Sequence, residues 1–309
     1  MVRCRAVVAV LLVMTWYGGS GASIGAAQTS TSRSGGSGDG REMVRLMVRP
    51  QVGDTLYLQM EQTIEMRGRR GGGGTRGADG ASRSPEYGPR IGTTGRVTRL
   101  LLFAHSLVES SDLAGTTVLA TSDSVVMWLG TTTDMGPPQR QALQDDARQV
   151  RVRVMSDGSM RLHNPPPGAA SLGATLASVP GLLPETPVAV GSEWMRDMAL
   201  PTLPVSGFRA DGVVQVKLRL DSLTRGGRDA WVTLSGVLRR GGTSPDWPPG
   251  TRVVTSGTIR GHMLIDRQRA WIMSALTELD VSSELAPGTT SGNAPTLLDM
   301  HIVQQVRVR

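Results

Sequence analysis

The chain has 309 residues, 39 of them Gly and 18 Pro, so these two types make up about 18% of it against a typical ~12%. That excess excludes a helical bundle or coiled coil, while 39% apolar residues exclude a wholly disordered chain. The net charge is +7, and Lys217 is the only lysine among 33 basic residues, a bias expected of a GC-rich genome.

Residues 1–27 read as a secretory signal peptide. Arg3 and Arg5 form a short positive start, and Ala6 to Met14 is an apolar run too short to span a bilayer. Gly25-Ala26-Ala27 supplies the small residues of a cleavage site, and no cysteine lies near it to carry a lipid anchor. Cleavage would remove the single cysteine, Cys4, leaving about 282 residues with a charge of +5 and neither disulfides nor thiolate metal sites. The expected location is periplasmic or extracellular, with no transmembrane segment after cleavage.

Residues 28–41 are Ser/Gly/Thr-rich and read as a disordered linker. From residue 42 onward the period is two. In 55–66, Leu56, Leu58, Met60, Ile64 and Met66 alternate with polar residues, the pattern of a long strand with one buried face. The same alternation marks 44–48, 150–154, 214–221, 271–285 and about 298–308. Asp157-Gly158 between two such runs predicts a tight hairpin, and 225–228 and 266–269 predict two more turns. Pro137-Pro138 before QRQALQDDARQ predicts one short helix, and 169–178 a second. About twelve strands follow. The expected fold is mainly β: long antiparallel meanders forming a half-barrel or a two-sheet sandwich, with one or two short helices. The β domain runs over 42–309. Two similar meanders, 42–163 and 194–309, read as a possible duplication joined by a Pro-rich crossover at 164–193.

No chemistry-bearing motif emerges. The segment 67–90 is rich in Arg and Gly and carries a charge of +4. In an exported chain with one aromatic there (Tyr87), it reads as a disordered hairpin loop, with an anionic envelope component as the alternative partner, and not as a nucleic-acid tract. Gly71 to Gly74 lack the GK[ST] of a phosphate loop. His105, His163, His262 and His301 form no short-range pair, so no metal site is assigned. GxSxG is absent, and Asp145-Asp146 read as a solvated pair. Trp247 in SPDWPPG reads as packing over a sheet edge, and Trp128, Trp194, Trp231 and Trp271 as strand anchors. No catalytic, cofactor-binding or metal-binding residue is assigned, and no cofactor is expected. A core of Val, Leu and Met packs adaptably and suits a greasy cavity.

Several features together resemble an uncharacterised family of exported bacterial β-rich proteins, a domain of unknown function. They are Gly53-Asp54-Thr55-Leu56-Tyr57, the Asp157-Gly158 hairpin, the LPxxPVxxGxxW segment from Leu183 to Trp194, and the closing hairpin from Gly257 to Asp266. The resemblance implies location and fold and no established activity. More distantly, the long strands are similar to the lipoprotein-carrier superfamily, whose half-barrels hold acyl chains. The functional expectation is a non-enzymatic exported protein binding a hydrophobic or amphiphilic ligand such as lipid. A structural or interaction module of the envelope is the alternative, and a hydrolase of an envelope polymer comes third.

Overall fold

A computed structural model describes residues 42–70, 95–113, 115–140, 148–162, 181–199, 213–242, 252–286 and 295–309. Twelve strands join in one antiparallel sheet. In chain order they are β1 (Thr55–Arg70), β2 (Arg96–Ser111), β3 (Thr116–Thr131), β4 (Gln139–Arg140), β5 (Gln149–Val154) and β6 (Met160–Leu162). Then follow β7 (Glu193–Ala199), β8 (Val213–Thr224), β9 (Asp229–Gly242), β10 (Arg252–Asp266), β11 (Trp271–Ala286) and β12 (Thr296–Val308). Their spatial order is β6-β5-β3-β2-β1-β12-β11-β10-β9-β8-β7, with the two-residue β4 beside β3. The mainly β expectation holds, and the architecture is an open sheet, not a two-sheet sandwich.

The chain closes on itself in the middle of this sheet. β12 lies between β1 and β11, pairing Met60 with Val306 and Ile64 with Ile302 on one side and Leu279 with Ile302 on the other. Two meanders, β1–β6 and β7–β12, thereby become one surface. The two segments that suggested a duplication both form hairpins, β2–β3 and β8–β9, each with register shifts.

Strict alternation gives the sheet an inner and an outer face. Val216, Leu218 and Leu220 of β8, Val232 of β9, Ile265 of β10 and Val152 of β5 are fully buried on the inner face. Burying each such side chain contributes about 1.5–3 kcal/mol. Gly236 and Gly261 also face inward. A Cβ on Gly261 would collide with the Leu276 carbonyl oxygen, so the missing side chain lets β10 press against β11.

One end of the sheet is closed. Residues 42–50 cross it as an extended strap. Val44 exchanges two backbone hydrogen bonds with Val188, the Val48 N–H donates to Ser156 O, and the Arg49 N–H donates to Ala270 O. Val44, Leu46 and Val48 bury inward. The adjacent residues 48 and 49 thus hold together the β5–β6 turn and the β10–β11 turn, which stand six strands apart in the hydrogen-bonded order. A sheet whose remote turns meet is curled, and we describe it as a trough.

The predicted turns form as the residue types require. Gly158 has φ +86°, and the Asp157 carboxylate accepts hydrogen bonds from Ser159 N and Oγ, which fixes the hairpin. The predicted helix at 137–149 is corrected at both ends, because Gln139 and Arg140 pair as a strand with Met127 and Val126, and Gln149 begins β5. The β3 edge offers backbone partners there, and Pro137-Pro138 ahead of it suits an extended approach as well as a helix start. Residues 141–147, with Asp145-Asp146, lie outside the described residues, as do 169–178, His163 and Trp247. The Arg/Gly segment is corrected at its start too: β1 continues to Arg70 through pairing with β12, and 71–90 lie outside the described residues.

Candidate functional site

The two ends of the trough differ in how far the inner face is covered. At the closed end the LPxxPVxxGxxW segment acts as a plug. Leu183, Pro184, Val188 and Ala189 are buried. The Leu183 N–H donates to Asp157 O, and Trp194 Nε1–H donates to Leu182 O at 2.7 Å. Gly191, at φ +89°, turns the chain so that its N–H reaches Leu220 O. Leu183, Pro184, Val188, Gly191 and Trp194 of that segment therefore each have a structural role. Between Val48, Val154, Gly158, Met160, Trp271 and Ile272 a gap of about 10 Å³ remains, the size of one water.

An Arg–Asp clamp fastens the same end. Asp229 and Asp266 face each other across β9 and β10, both buried. Arg228 donates from Nε and Nη2 to Asp266 Oδ2 at 3.1 and 2.8 Å, and Asp266 Oδ1 accepts the Gln268 and Arg269 N–H groups. Arg225 donates to both oxygens of Asp229. Burial pushes the Asp266 carboxyl up, but the Arg228 guanidinium and the two backbone donors outweigh it and hold the group below the usual carboxylate range.

Toward the other end, where β1 stops at Arg70 and β12 begins at Thr296, the inner face is less covered, and its apolar residues are interspersed with Thr98, Ser283 and Thr296 and with Arg96, which stands opposite Met66. Ile64, Met66, Leu100, Met127, Leu285, Leu298 and Met300 are half-buried, and Leu129 is 45% exposed. Met66 and Met300 are direct cross-strand partners. A row of uncharged polar residues, Gln62, Gln304 and Thr277, crosses the inner face between the packed half and this half-covered zone.

The outer face carries charge. Glu61 pairs with Arg99, Glu278 with Arg260, Glu193 with Lys217 and Glu109 with Arg151. Such rows leave no unbroken apolar band on the outside, unlike a membrane-spanning barrel. Among the described residues no helix is long and apolar enough to cross a membrane.

A groove of about 720 Å³ lies on this face over β1 and β9–β12, lined among others by Glu65, Arg67, Val237, Thr258, Asp280, Ser282, Asp299 and His301. His301 stands in register between Asp280 and Glu65, with its Nδ1 2.6 Å from Asp280 Oδ1. Ser282 Oγ donates to Asp299 Oδ1 at 2.7 Å, and Arg69 Nη2 donates to Asp299 Oδ2 at 2.8 Å. The Ser282 hydroxyl, with help from Arg69, holds the Asp299 carboxyl below its ordinary range despite partial burial. Sequence reading did not find this cluster. Its members come from three strands, and only the β1–β12–β11 register brings them together.

Of the other histidines, His105 and His262 sit singly on the same outer face. His105 Nδ1 is 2.9 Å from Asp123 Oδ1, and His262 stacks near Trp231 at 6.0 Å between ring centroids. No group of three His, Cys, Asp or Glu able to hold a metal occurs among the described residues. Trp128 lies under the Arg99 guanidinium at 5.6 Å and Trp271 is buried, while Trp231 stands at the outer surface.

The fold defines a class: a single, curled antiparallel sheet with one plugged end and an apolar inner face. No family model and no curated protein matches the chain. Among solved structures, it is similar to one described as "Lipid-protein interactions in lipovitellin", with TM-score 0.42 and 9% identity over 84% of this chain and 25% of that chain. It therefore spans about a quarter of that protein's length. It is also similar to DynF from the dynemicin biosynthesis pathway of Micromonospora chersina, with TM-score 0.19 and 6% identity over 90% of this chain and 92% of that chain. At these values neither likeness bears on what this chain does.

Proposed function

We propose that this chain is an exported protein that binds a hydrophobic or amphiphilic ligand against the inner face of its open end and does no chemistry on it. One observation carries the reading: the apolar inner face continues past the packed core into rows that the described sheet leaves half-covered, from Ile64 and Met66 to Leu129, Leu298 and Met300. Methionines there suit a ligand of variable shape, because their side chains are unbranched and polarisable. The N-terminal apolar run and small-residue stretch support export to the periplasm or beyond.

The test is native mass spectrometry of protein purified without detergent from its own cell envelope, followed by organic extraction. A bound amphiphile of defined mass is the expected result. Apo protein from repeated preparations, with no uptake of added lipid, would overturn the reading.

A second reading has its own observation. The outer groove gathers Glu65, Asp280, Asp299 and His301 in one place, the arrangement that hydrolysis of an envelope polymer would use. Release of soluble fragments from envelope polymer by the wild type, abolished in His301→Ala, would favour it; equal release by both would remove it.

A further inference from the structure

Charge is divided unevenly between the two faces of the open half. Among the described strand residues beyond the Gln62–Gln304–Thr277 row, the carboxylates Glu65, Asp197, Glu278, Asp280, Glu284 and Asp299 all stand in outer rows. Outer arginines meet them: Arg67 lies 3.6 Å from Glu65, Arg69 2.8 Å from Asp299 and Arg260 2.6 Å from Glu278. The inner face has the opposite balance. Arg96 of β2 stands in an inner row, opposite Met66 of β1 on one side and Thr131 of β3 on the other. It is exposed, and among the described residues its guanidinium makes no ion pair and no hydrogen bond. Asp134, in the turn after β3, does not pair with it either. By register, Arg240 of β9 falls in the row of Thr255, Ser283 and Leu298, and Arg70 of β1 in the row of Thr296 and Leu285, both inner rows. Half-buried Met66, Met300, Leu298 and Leu285 share these rows. The mouth of the trough thus joins apolar surface to basic positions, with no acid beside them on the inner strand rows among the described residues.

We infer that this mouth selects an amphiphile with an anionic headgroup, a carboxylate or phosphate monoester, whose hydrocarbon lies on Ile64, Met66 and Met300 and whose headgroup is held by Arg96. The inference rests on the ligand-binding reading above and adds the charge and place of the headgroup. A guanidinium presents its donors in a planar fork that matches the oxygens of a carboxylate or phosphate, and its charge is permanent. An ammonium headgroup would meet like charge there, and a hydroxyl would gain no ion pair. The outer arginines cannot take this part, because their charge is met by neighbouring carboxylates and they stand on the face away from the apolar rows.

The experiment uses the full chain and three probes of equal chain length, dodecyl phosphate, dodecanol and dodecylamine, displacing an uncharged fluorescent monoacylglycerol below the micellar range. Wild type should bind dodecyl phosphate about tenfold more tightly than dodecanol, the lower range for a hydrogen bond to a charged group, and dodecylamine more weakly than either. Raising salt from about 0.05 to 1 M should shrink that preference, because screening weakens an exposed ion pair and leaves hydrocarbon burial in place. Arg96→Gln should cut the preference at least threefold with dodecanol affinity unchanged, and Arg96→Lys should retain most of it. Circular dichroism and melting show whether both variants fold; if Arg96→Gln does not, the salt series on wild type carries the test. Inorganic phosphate should displace nothing, since the hydrocarbon supplies the rest of the affinity. Equal binding of the three probes, a preference that survives in folded Arg96→Gln or ignores salt, or displacement by inorganic phosphate alone overturns the inference and leaves the binding reading standing. Failure of all three probes to bind wild type overturns both.

Discussion

Val, Leu, Ile and Met form most of the lining at both the closed and the open end of this trough, yet the two ends differ in what covers them. At the closed end the 42–50 strap and the 181–192 plug lie over the inner face, and Leu183, Leu218, Leu220 and Ile265 are fully buried. At the other end the same alternation runs on through Met66, Met300 and Leu298, which keep part of their surface. The difference teaches that hydrophobic pattern assigns a face, and that chain connectivity decides whether the face becomes core. At one end the conformational entropy is offset by a packed interior; at the other, apolar surface stays partly exposed.

The largest expected effect is at the closed end. Leu220→Ala removes a fully buried side chain from the packed half and should destabilise by roughly 2–5 kcal/mol, read as a lower denaturant midpoint at unchanged slope. Met66→Ala at the open end should cost under about 1 kcal/mol, because half-covered surface loses less on truncation. Equal losses at both positions would erase the distinction between the ends.

Next comes the clamp. Asp266→Asn removes the charge that Arg228 and two backbone N–H groups stabilise, at a cost of about 2–3 kcal/mol at neutral pH. Because the folded carboxyl is held below its ordinary value of 3.8, its contribution is present above that value and is lost as pH falls through the depressed folded value. The wild type should therefore lose stability below about pH 4, and Asp266→Asn should show a shallower acid limb. Asp299, depressed through Ser282 and Arg69, adds to the same limb with the same sign. An identical acid limb in wild type and variant would contradict the clamp's role.

The smallest effect is outside the trough. His301→Ala breaks an exposed pair with Asp280 and should change stability by less than about 0.5 kcal/mol, with ligand binding inside the trough unaltered. A larger loss, or altered binding, would tie the outer groove to the inner face.

How much of this was legible in the sequence follows from which features are local. Period-two runs and the Asp157-Gly158 turn are local, so the strands at 55–70, 149–154, 213–224, 271–286 and 296–308 could be read within a few residues. Pairing order is not local. Nothing in the residues of β12 says that it inserts between β1 and β11, and the choice of one sheet over two depends on that insertion. The same non-locality hid the Asp280–His301–Glu65 row and the Gln62–Gln304–Thr277 row, each assembled from three strands more than twenty residues apart in sequence. Gln139 and Arg140 failed for the opposite reason: a proline-led polar segment satisfies the local rule for a helix start, and the β3 edge overrides it.

The most direct test of the central claim is photo-crosslinking of the full chain with a diazirine-bearing fatty-acyl alcohol, followed by peptide mapping. The account predicts adducts on the inner-face residues of the open half, at Ile64, Met66, Leu298 and Met300, competed away by the unlabelled alcohol. Adducts confined to the outer face, or spread over the surface without competition, would contradict it.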